Sequence, residues 1–239
     1  MNHLSNLPLE ILINITEFLS TKDILNLSIC SRHFHVLLSF VKFNENVNFK
    51  DISKLSYFDS FTNVIYCESG KLFPKSLKIL LWWNNDHLPL LPNSLESLSL
   101  SYYYNHSLPE LPDMLKSLNL SNHYNQPISQ LPASLESLHL GSYYNQSLPQ
   151  LPNSLESLHL GHNYNQPLTQ LPNSLESLHL GSYYHQPLTQ LPNSLKSLHL
   201  GSYYNQPLPQ LPDSLTLLKV WRSFQPTTLS SNITIEFFD

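Results

Sequence analysis

Cysteine is nearly absent: Cys30 and Cys67 are the only two in 239 residues. Two thiols without Cys-x-x-Cys spacing make neither a disulfide framework nor a zinc or redox motif, and they read as reduced thiols of a cytosolic protein. Charge is scarce as well. Asp, Glu, Lys and Arg supply 12% of the chain, about half the usual quarter, so solubility falls to Asn, Gln, Ser, Tyr and His. Lys and Arg number 12 against 17 Asp and Glu, for a net charge of -5. With no basic cluster anywhere, nucleic acid and anionic membranes are discounted as partners. No apolar run approaches the length of a membrane span. Residues 1–18 carry Glu10 and Glu17 within an amphipathic pattern rather than the basic, apolar and small-residue blocks of a secretory leader. Glycine is rare too, and four of the five, Gly141, Gly161, Gly181 and Gly201, fall at one place in a repeat. That arrangement leaves no phosphate-cradling loop.

What the chain does have is repetition. Leu-Pro recurs at Leu91, Leu111, Leu131, Leu151, Leu171, Leu191 and Leu211, in steps of 20 residues. One such unit cannot fold alone. Five or six large apolar side chains yield about 10–15 kcal/mol on burial, against roughly 30 kcal/mol for ordering 20 residues. Stacking of neighbouring units is therefore obligatory, and the period belongs to the solenoid range. Leu135-x-x-Leu138-x-Leu140 carries the spacing of a short strand that points its leucines inward. Alternation then sends Leu138 and Leu140 to the core and Ser137 and His139 to the open face of one parallel sheet. Pro132 and Pro167 belong to the return path, because proline cannot donate to a ladder. Tyr144, Leu148 and Leu151 are expected to fill the core from that side.

Three columns of the repeat carry the chemistry. The glycines follow the strand and point to a turn with positive φ, although Ser101 and Ser121 hold the same place in two copies. Asn105, Asn125, Asn145, Asn165 and Asn205 form a column expected to act as buried amides that satisfy loop backbone groups, with His185 substituting once. His139, His159, His179 and His199 should stack at about the 4.8 Å strand spacing on the open face. Parallel rings in a row do not converge on a tetrahedral metal, so no metal and no cofactor is expected. Ser and His on one strand face lack an orienting acid and oxyanion donors, so no catalytic residue is assigned and the protein is read as a non-enzyme.

The unit resembles the FNIP repeat, a leucine-rich-repeat-like module with an aromatic-Asn-Gln-Pro turn, known from social amoebae and giant DNA viruses. Tyr143-Tyr144-Asn145-Gln146 stands where the family has its Phe-Asn. The resemblance covers about 150 residues of this chain.

Before the repeats the texture changes. Pro8 opens an amphipathic stripe through Ile11, Leu12, Ile15, Phe18 and Leu19, which predicts a helix over 8–19. Ser20 and Asp23 read as a capping-box-like start for a second helix, and residues 31–40 as a third. Leu-Pro-x-Glu-Ile-Leu, followed by Ile15, Phe18-Leu19, Asp23-Ile24-Leu25, Leu27, Cys30 and Phe34, resembles an F-box in order and spacing. The resemblance implies docking on the Skp adaptor of a cullin–RING ubiquitin ligase through Leu7, Pro8, Leu9, Ile11, Leu12, Ile24 and Leu25.

The expected fold class is thus α+β, a three-helix F-box followed by a leucine-rich-repeat-like solenoid with one parallel sheet. Its expected division is an F-box at 1–43, a bridge and N-terminal cap at 44–72, repeats at 73–225 and a C-terminal cap strand at 226–239. The function this implies is the substrate-recognition subunit of a Skp–cullin–F-box ligase in the cytoplasm, or in the host cytoplasm if the chain is viral. The partners are the Skp adaptor, the cullin and an unidentified target protein. Expected target contacts are Ser137, His139, Ser157, His159, Ser177, His179, Ser197 and His199. The alternatives are a scaffold or decoy that sequesters the adaptor, and a metal-dependent sensor built on the His column.

Overall fold

The computed structural model describes residues 23, 47–48, 58–66, 73–168, 170–222, 224 and 233–238. Its strands are β1 (Val47–Asn48), β2 (Asn63–Tyr66), β3 (Ile79–Trp82), β4 (Ser97–Leu100), β5 (Ser117–Asn119), β6 (Ser137–His139), β7 (Ser157–His159), β8 (Ser177–His179), β9 (Ser197–His199), β10 (Leu217–Trp221) and β11 (Thr234–Phe238). They form one sheet in sequence order. Every pairing is parallel, and from β5 to β10 the register advances by one repeat per strand, with Leu118, Leu138, Leu158, Leu178, Leu198 and Leu218 aligned.

The α+β expectation is corrected by this architecture. The described elements are strands and one 3-10 turn at Phe58–Ser60, and Asp23 alone among the described residues is α-helical. The fold is a parallel β-solenoid of leucine-rich-repeat character. The helical part of the expectation rested on residues 8–40, which lie outside the described residues except Asp23. Within the repeats, prolines such as Pro132, Pro149 and Pro152 deny the return path the N–H groups a helix needs. A 20-residue coil accordingly closes with extended and turn segments alone. Among the described residues, no helix is long and apolar enough to cross a membrane.

Each coil is built the same way. Leu135, Leu138, Leu140, Tyr144 and Leu151 are buried in a core that continues from coil to coil. Leu135 N–H bonds Pro132 O at 3.1 Å and so closes the turn that leads into the strand. Glu136 N–H and Ser137 N–H both donate to Lys116 O of the preceding coil, at 2.8 and 2.9 Å, and set the register. After the strand, Tyr144 N–H returns to Gly141 O at 3.1 Å. The tyrosines Tyr104, Tyr124, Tyr144, Tyr164 and Tyr184 then stack along the interior, with ring centroids 6.1–6.4 Å apart.

A serine column completes the frame. Ser134, Ser154, Ser174, Ser194 and Ser214 donate their hydroxyls to Leu115, Leu135, Leu155, Leu175 and Leu195 O, at 2.7–2.8 Å. Those carbonyls belong to the turn of the coil before, so each serine satisfies a backbone group that the solenoid buries.

The glycine column has a different cause from the one expected. No described glycine has positive φ. A Cβ on Gly161 would instead lie 1.8 Å from Gly141 O, and one on Gly181 the same distance from Gly161 O. Glycine stands there because successive coils touch backbone to backbone.

Candidate functional site

The open face of the sheet places the expected target residues together. Ser137, Ser157, Ser177 and Ser197 align across β6 to β9, as do His139, His159, His179 and His199. The imidazoles approach more closely than the strand spacing. Neighbouring centroids are 4.0, 3.9 and 3.9 Å apart, with interplanar angles of 33°, 22° and 37°. Phe238 of β11 closes the stack edge-on to His199 at 4.6 Å. Asn119 precedes the row in register and Lys219 follows it.

Stacking governs the protonation of these groups. Desolvation by the neighbouring rings, with mutual repulsion of their charged forms, lowers His159 to about 4 and His179 to about 3. His139 is lowered by desolvation, and His199 by desolvation and then by the Lys219 cation. The row is therefore neutral at physiological pH, each ring offering one donor and one acceptor nitrogen. Beside it lies a half-open groove of about 190 Å³, lined by His139, His159, His179, Ser142, His162 and Ser182 among others. Among the described residues, no group of three or more His, Cys, Asp or Glu side chains is placed to hold a metal.

The charged column that flanks the face pairs with itself. Lys78–Glu96, Lys116–Glu136 and Lys196–Glu176 are ion pairs between adjacent coils, at 2.8, 3.0 and 2.6 Å. The carboxylates thus meet lysines rather than histidines, and Glu156 stands between Glu136 and Glu176 without such a pair among the described residues.

The asparagine column sits at the surface, exposed or half-buried, rather than in the interior. Its amides nonetheless tie coil to coil. Asn105, Asn125, Asn145 and Asn165 Oδ1 accept the backbone N–H of Asn125, Asn145, Asn165 and His185, at 2.8–3.0 Å. The expected adaptor contacts Leu7, Pro8, Leu9, Ile11, Leu12, Ile24 and Leu25 lie outside the described residues.

Comparison with known families decides what this arrangement belongs to. The family model described as FNIP Repeat matches residues 104–143, 144–183, 169–202 and 184–220, and the F-box domain model matches 4–46. The chain is an F-box protein with FNIP repeats. The FNIP coils are the ones whose strands, tyrosine stack and asparagine column are described above. Among solved structures, the chain is similar to CroV588, a protein with a novel circular LRR structure, with TM-score 0.68 and 32% identity over 82% of this chain and 32% of that one. It is also similar to YopM from Yersinia enterocolitica WA-314, with TM-score 0.56 and 26% identity over 74% of this chain and 40% of that one. The FNIP protein thus spans about a third of the length of CroV588 and two fifths of YopM. No curated protein matches it. An F-box joined to a leucine-rich-repeat-like solenoid is the make-up of a protein-interaction adaptor.

Two features escaped the sequence reading. The serine column hides in Pro-Asn-Ser-Leu, a string that reads as ordinary turn chemistry. The exposed tyrosines Tyr143, Tyr183 and Tyr203 stand beside buried ones in the same Tyr-Tyr pairs, and only an odd-even argument carried into the turn separates the two.

Proposed function

We propose that this protein is a non-enzymatic substrate receptor of a Skp–cullin–F-box ubiquitin ligase, acting in the cytoplasm. F-box domains generally bind the Skp adaptor, and residues 4–46 match that domain. Leu7, Pro8, Leu9, Ile11, Leu12, Ile24 and Leu25 would make the contact. The FNIP solenoid would hold the target while a separate ligase subunit transfers ubiquitin, so its contribution is effective concentration near the ubiquitin carrier. The observation that carries this reading is the union of an F-box with a long sheet whose open face repeats the same neutral hydrogen-bonding residues. That uniformity also favours a second reading, a scaffold or decoy that occupies the adaptor without presenting a client.

The test is co-purification of the full chain with the Skp adaptor and cullin, beside Leu7→Ala/Pro8→Ala. The receptor reading expects both partners with the wild type, neither with the variant, and a client that gains polyubiquitin when the wild type is present. Adaptor without cullin would favour the decoy; neither partner would end both readings.

A further inference from the structure

The turns that follow the strands carry a surface unlike the strand face. In each Tyr-Tyr pair the second ring enters the core and the first stays out: Tyr103, Tyr143, Tyr183 and Tyr203 are 66%, 50%, 44% and 55% exposed, whereas Tyr144 and Tyr184 are fully buried. The outer rings form a ridge. His123 bridges Tyr103 and Tyr143, with centroids at 5.1 and 4.9 Å. Tyr183 and Tyr203 stack at 5.1 Å with 16° between planes, and His162 meets Tyr183 edge-on at 4.9 Å. The groove lined by His139, His159, His179, Ser142, His162 and Ser182 meets this ridge at His162, which touches Tyr183.

The ridge and groove carry no formal charge. No Asp, Glu, Lys or Arg occurs in 99–109, 119–135, 139–155, 159–175, 179–195 or 199–212, so the charged residues of the repeats are kept to the far edge of the sheet and the loop tips. What remains is Gly-Ser-Tyr-Tyr-Asn-Gln, repeated. Antibody combining loops use the same set of residues: tyrosine gives a large, rigid, amphipathic contact at low entropic cost, and Ser, Gly and Asn give adaptable hydrogen bonds. The exposed aromatics lie in two runs, Tyr103–His123–Tyr143 and His162–Tyr183–Tyr203, parted by Asn163, and together they exceed what a surface without a partner carries.

We propose that the Tyr ridge and its groove are the surface that grips the target, and that the target is a protein offering an uncharged patch of backbone amides, hydroxyls and aliphatic groups. This assignment rests on the receptor reading for the fate of the bound protein, not for the contact. A protein fits better than a glycan because Tyr183 and Tyr203 stack face to face and His123 lies against both Tyr103 and Tyr143, which turns edges and hydroxyls outward, whereas sugars stack on open ring faces. Nucleic acid would need cations that the ridge lacks.

The test pans a phage-displayed library of random peptides against the immobilised full chain. Recovered peptides are then measured against Tyr143→Ala/Tyr183→Ala/Tyr203→Ala and against Ser117→Ala/Asn119→Ala, which lies on the strand face outside the groove. The ridge assignment expects the triple variant to weaken binding at least about 10-fold, as loss of aromatic hot spots does, and the Ser117/Asn119 variant to weaken it less than about 2-fold. Affinity should change less than about 2-fold on a tenfold rise in salt, since no charges are screened. A melting temperature of the triple variant within about 2 °C of wild type shows that the fold is kept. Peptides that are basic and salt-sensitive, that ignore the tyrosines, or that are never recovered while an uncharged glycan panel binds, would overturn it. So would a concentration-dependent dimer lost in the triple variant, because the occupant would then be a second copy. Adaptor co-purification on the same proteins separates the two readings. Wild type that binds ridge-dependent peptides but no adaptor ends the receptor reading alone, and wild type that binds adaptor but no such peptides ends the ridge alone.

Discussion

The hydroxyl of Ser174 donates to the carbonyl of Leu155, nineteen residues earlier, at 2.7 Å. The bond crosses from one coil to the next at the corner where the chain turns into the strand. Ladder bonds and core contacts cannot reach that carbonyl, so the side chain does.

Replacing Ser174 with alanine should therefore leave Leu155 O part-buried and unpaired. The expected loss is about 1 kcal/mol, or more if no water enters. Urea unfolding of Ser174→Ala beside an exposed control, Asn173→Ala, measures it, and equal midpoints would show the bond to be worth nothing.

The tyrosine stack makes the opposite prediction. The hydroxyls of Tyr124, Tyr144, Tyr164, Tyr184 and Tyr204 are buried facing the backbone N–H groups of Leu108, Ile128, Leu148, Leu168 and Leu188, outside ordinary hydrogen-bond geometry, whereas Tyr104 accepts Leu88 N–H at 3.3 Å. Burial pushes the phenols up, Tyr184 to about 12. Tyr144→Phe removes a desolvated hydroxyl with one poorly aligned partner and keeps the ring, so stability should change by less than about 1 kcal/mol. A larger drop would mean that the buried Ile128 N–H depends on that hydroxyl.

The asparagine column breaks at one position. His185 N–H is held by Asn165 Oδ1 at 2.8 Å, yet an imidazole offers no matching oxygen to the next coil, and Asn205 Oδ1 turns to Gln206 of its own coil at 3.1 Å. His185→Asn should restore the link and raise stability by about 0.5 kcal/mol, the low end for an exposed hydrogen bond. Hydrogen exchange at Asn205 N–H gives the local readout, slower in the variant.

The histidine row makes stability depend on pH in a defined direction. Folded-state values are lowered, His159 to about 4 and His179 to about 3, from about 6.5 in the unfolded chain. Above about pH 6.5 both states are neutral and the row costs nothing. As pH falls below that, the unfolded chain takes up protons that the stacked rings refuse, and stability declines towards pH 3. Lys219 at one end adds repulsion, and Glu236, paired with it at 2.6 Å, partly offsets this. Because the rings are about half accessible, solvent screening keeps the effect below what the shifts alone imply. His159→Gln/His179→Gln should melt with a flatter profile between pH 6.5 and 4, and identical profiles would count against the stack as the cause.

Close coil contact makes glycine replacement severe. Gly181→Ala would set a methyl group 1.8 Å from Gly161 O, which only a backbone shift can relieve. A loss of at least about 2 kcal/mol is expected, measurable as a lower melting temperature, and a neutral result would mean that the coils can spread.

Much of this was legible because a solenoid is nearly one-dimensional. The 20-residue period and the Leu138, Leu140 and Tyr144 positions follow from strand alternation and from the need of each coil for neighbours. The glycines misled, since a left-handed turn and a backbone contact leave the same mark in a sequence, and only the distance to Gly141 O separates them. The α+β class rested on helices read in residues 8–40, which lie outside the described residues except Asp23, whereas the described elements are the strands and turns of the solenoid. The imidazole spacing of 3.9–4.0 Å depends on ring tilt, which a strand-spacing argument does not contain.

Near-identical coils raise a problem of counting. A chain whose units differ by a few side chains could pair strand β7 with β9 and loop out the coil between them, with its leucines still matched. The turn column works against that error at one end of the array. Ser121 carries its hydroxyl to Tyr104 O at 2.6 Å, while the coil above it needs Gly141, whose Cβ would strike Ser121 O. Serine-type coils therefore stack only before the glycine-type ones, and this boundary fixes the register of the array at that end.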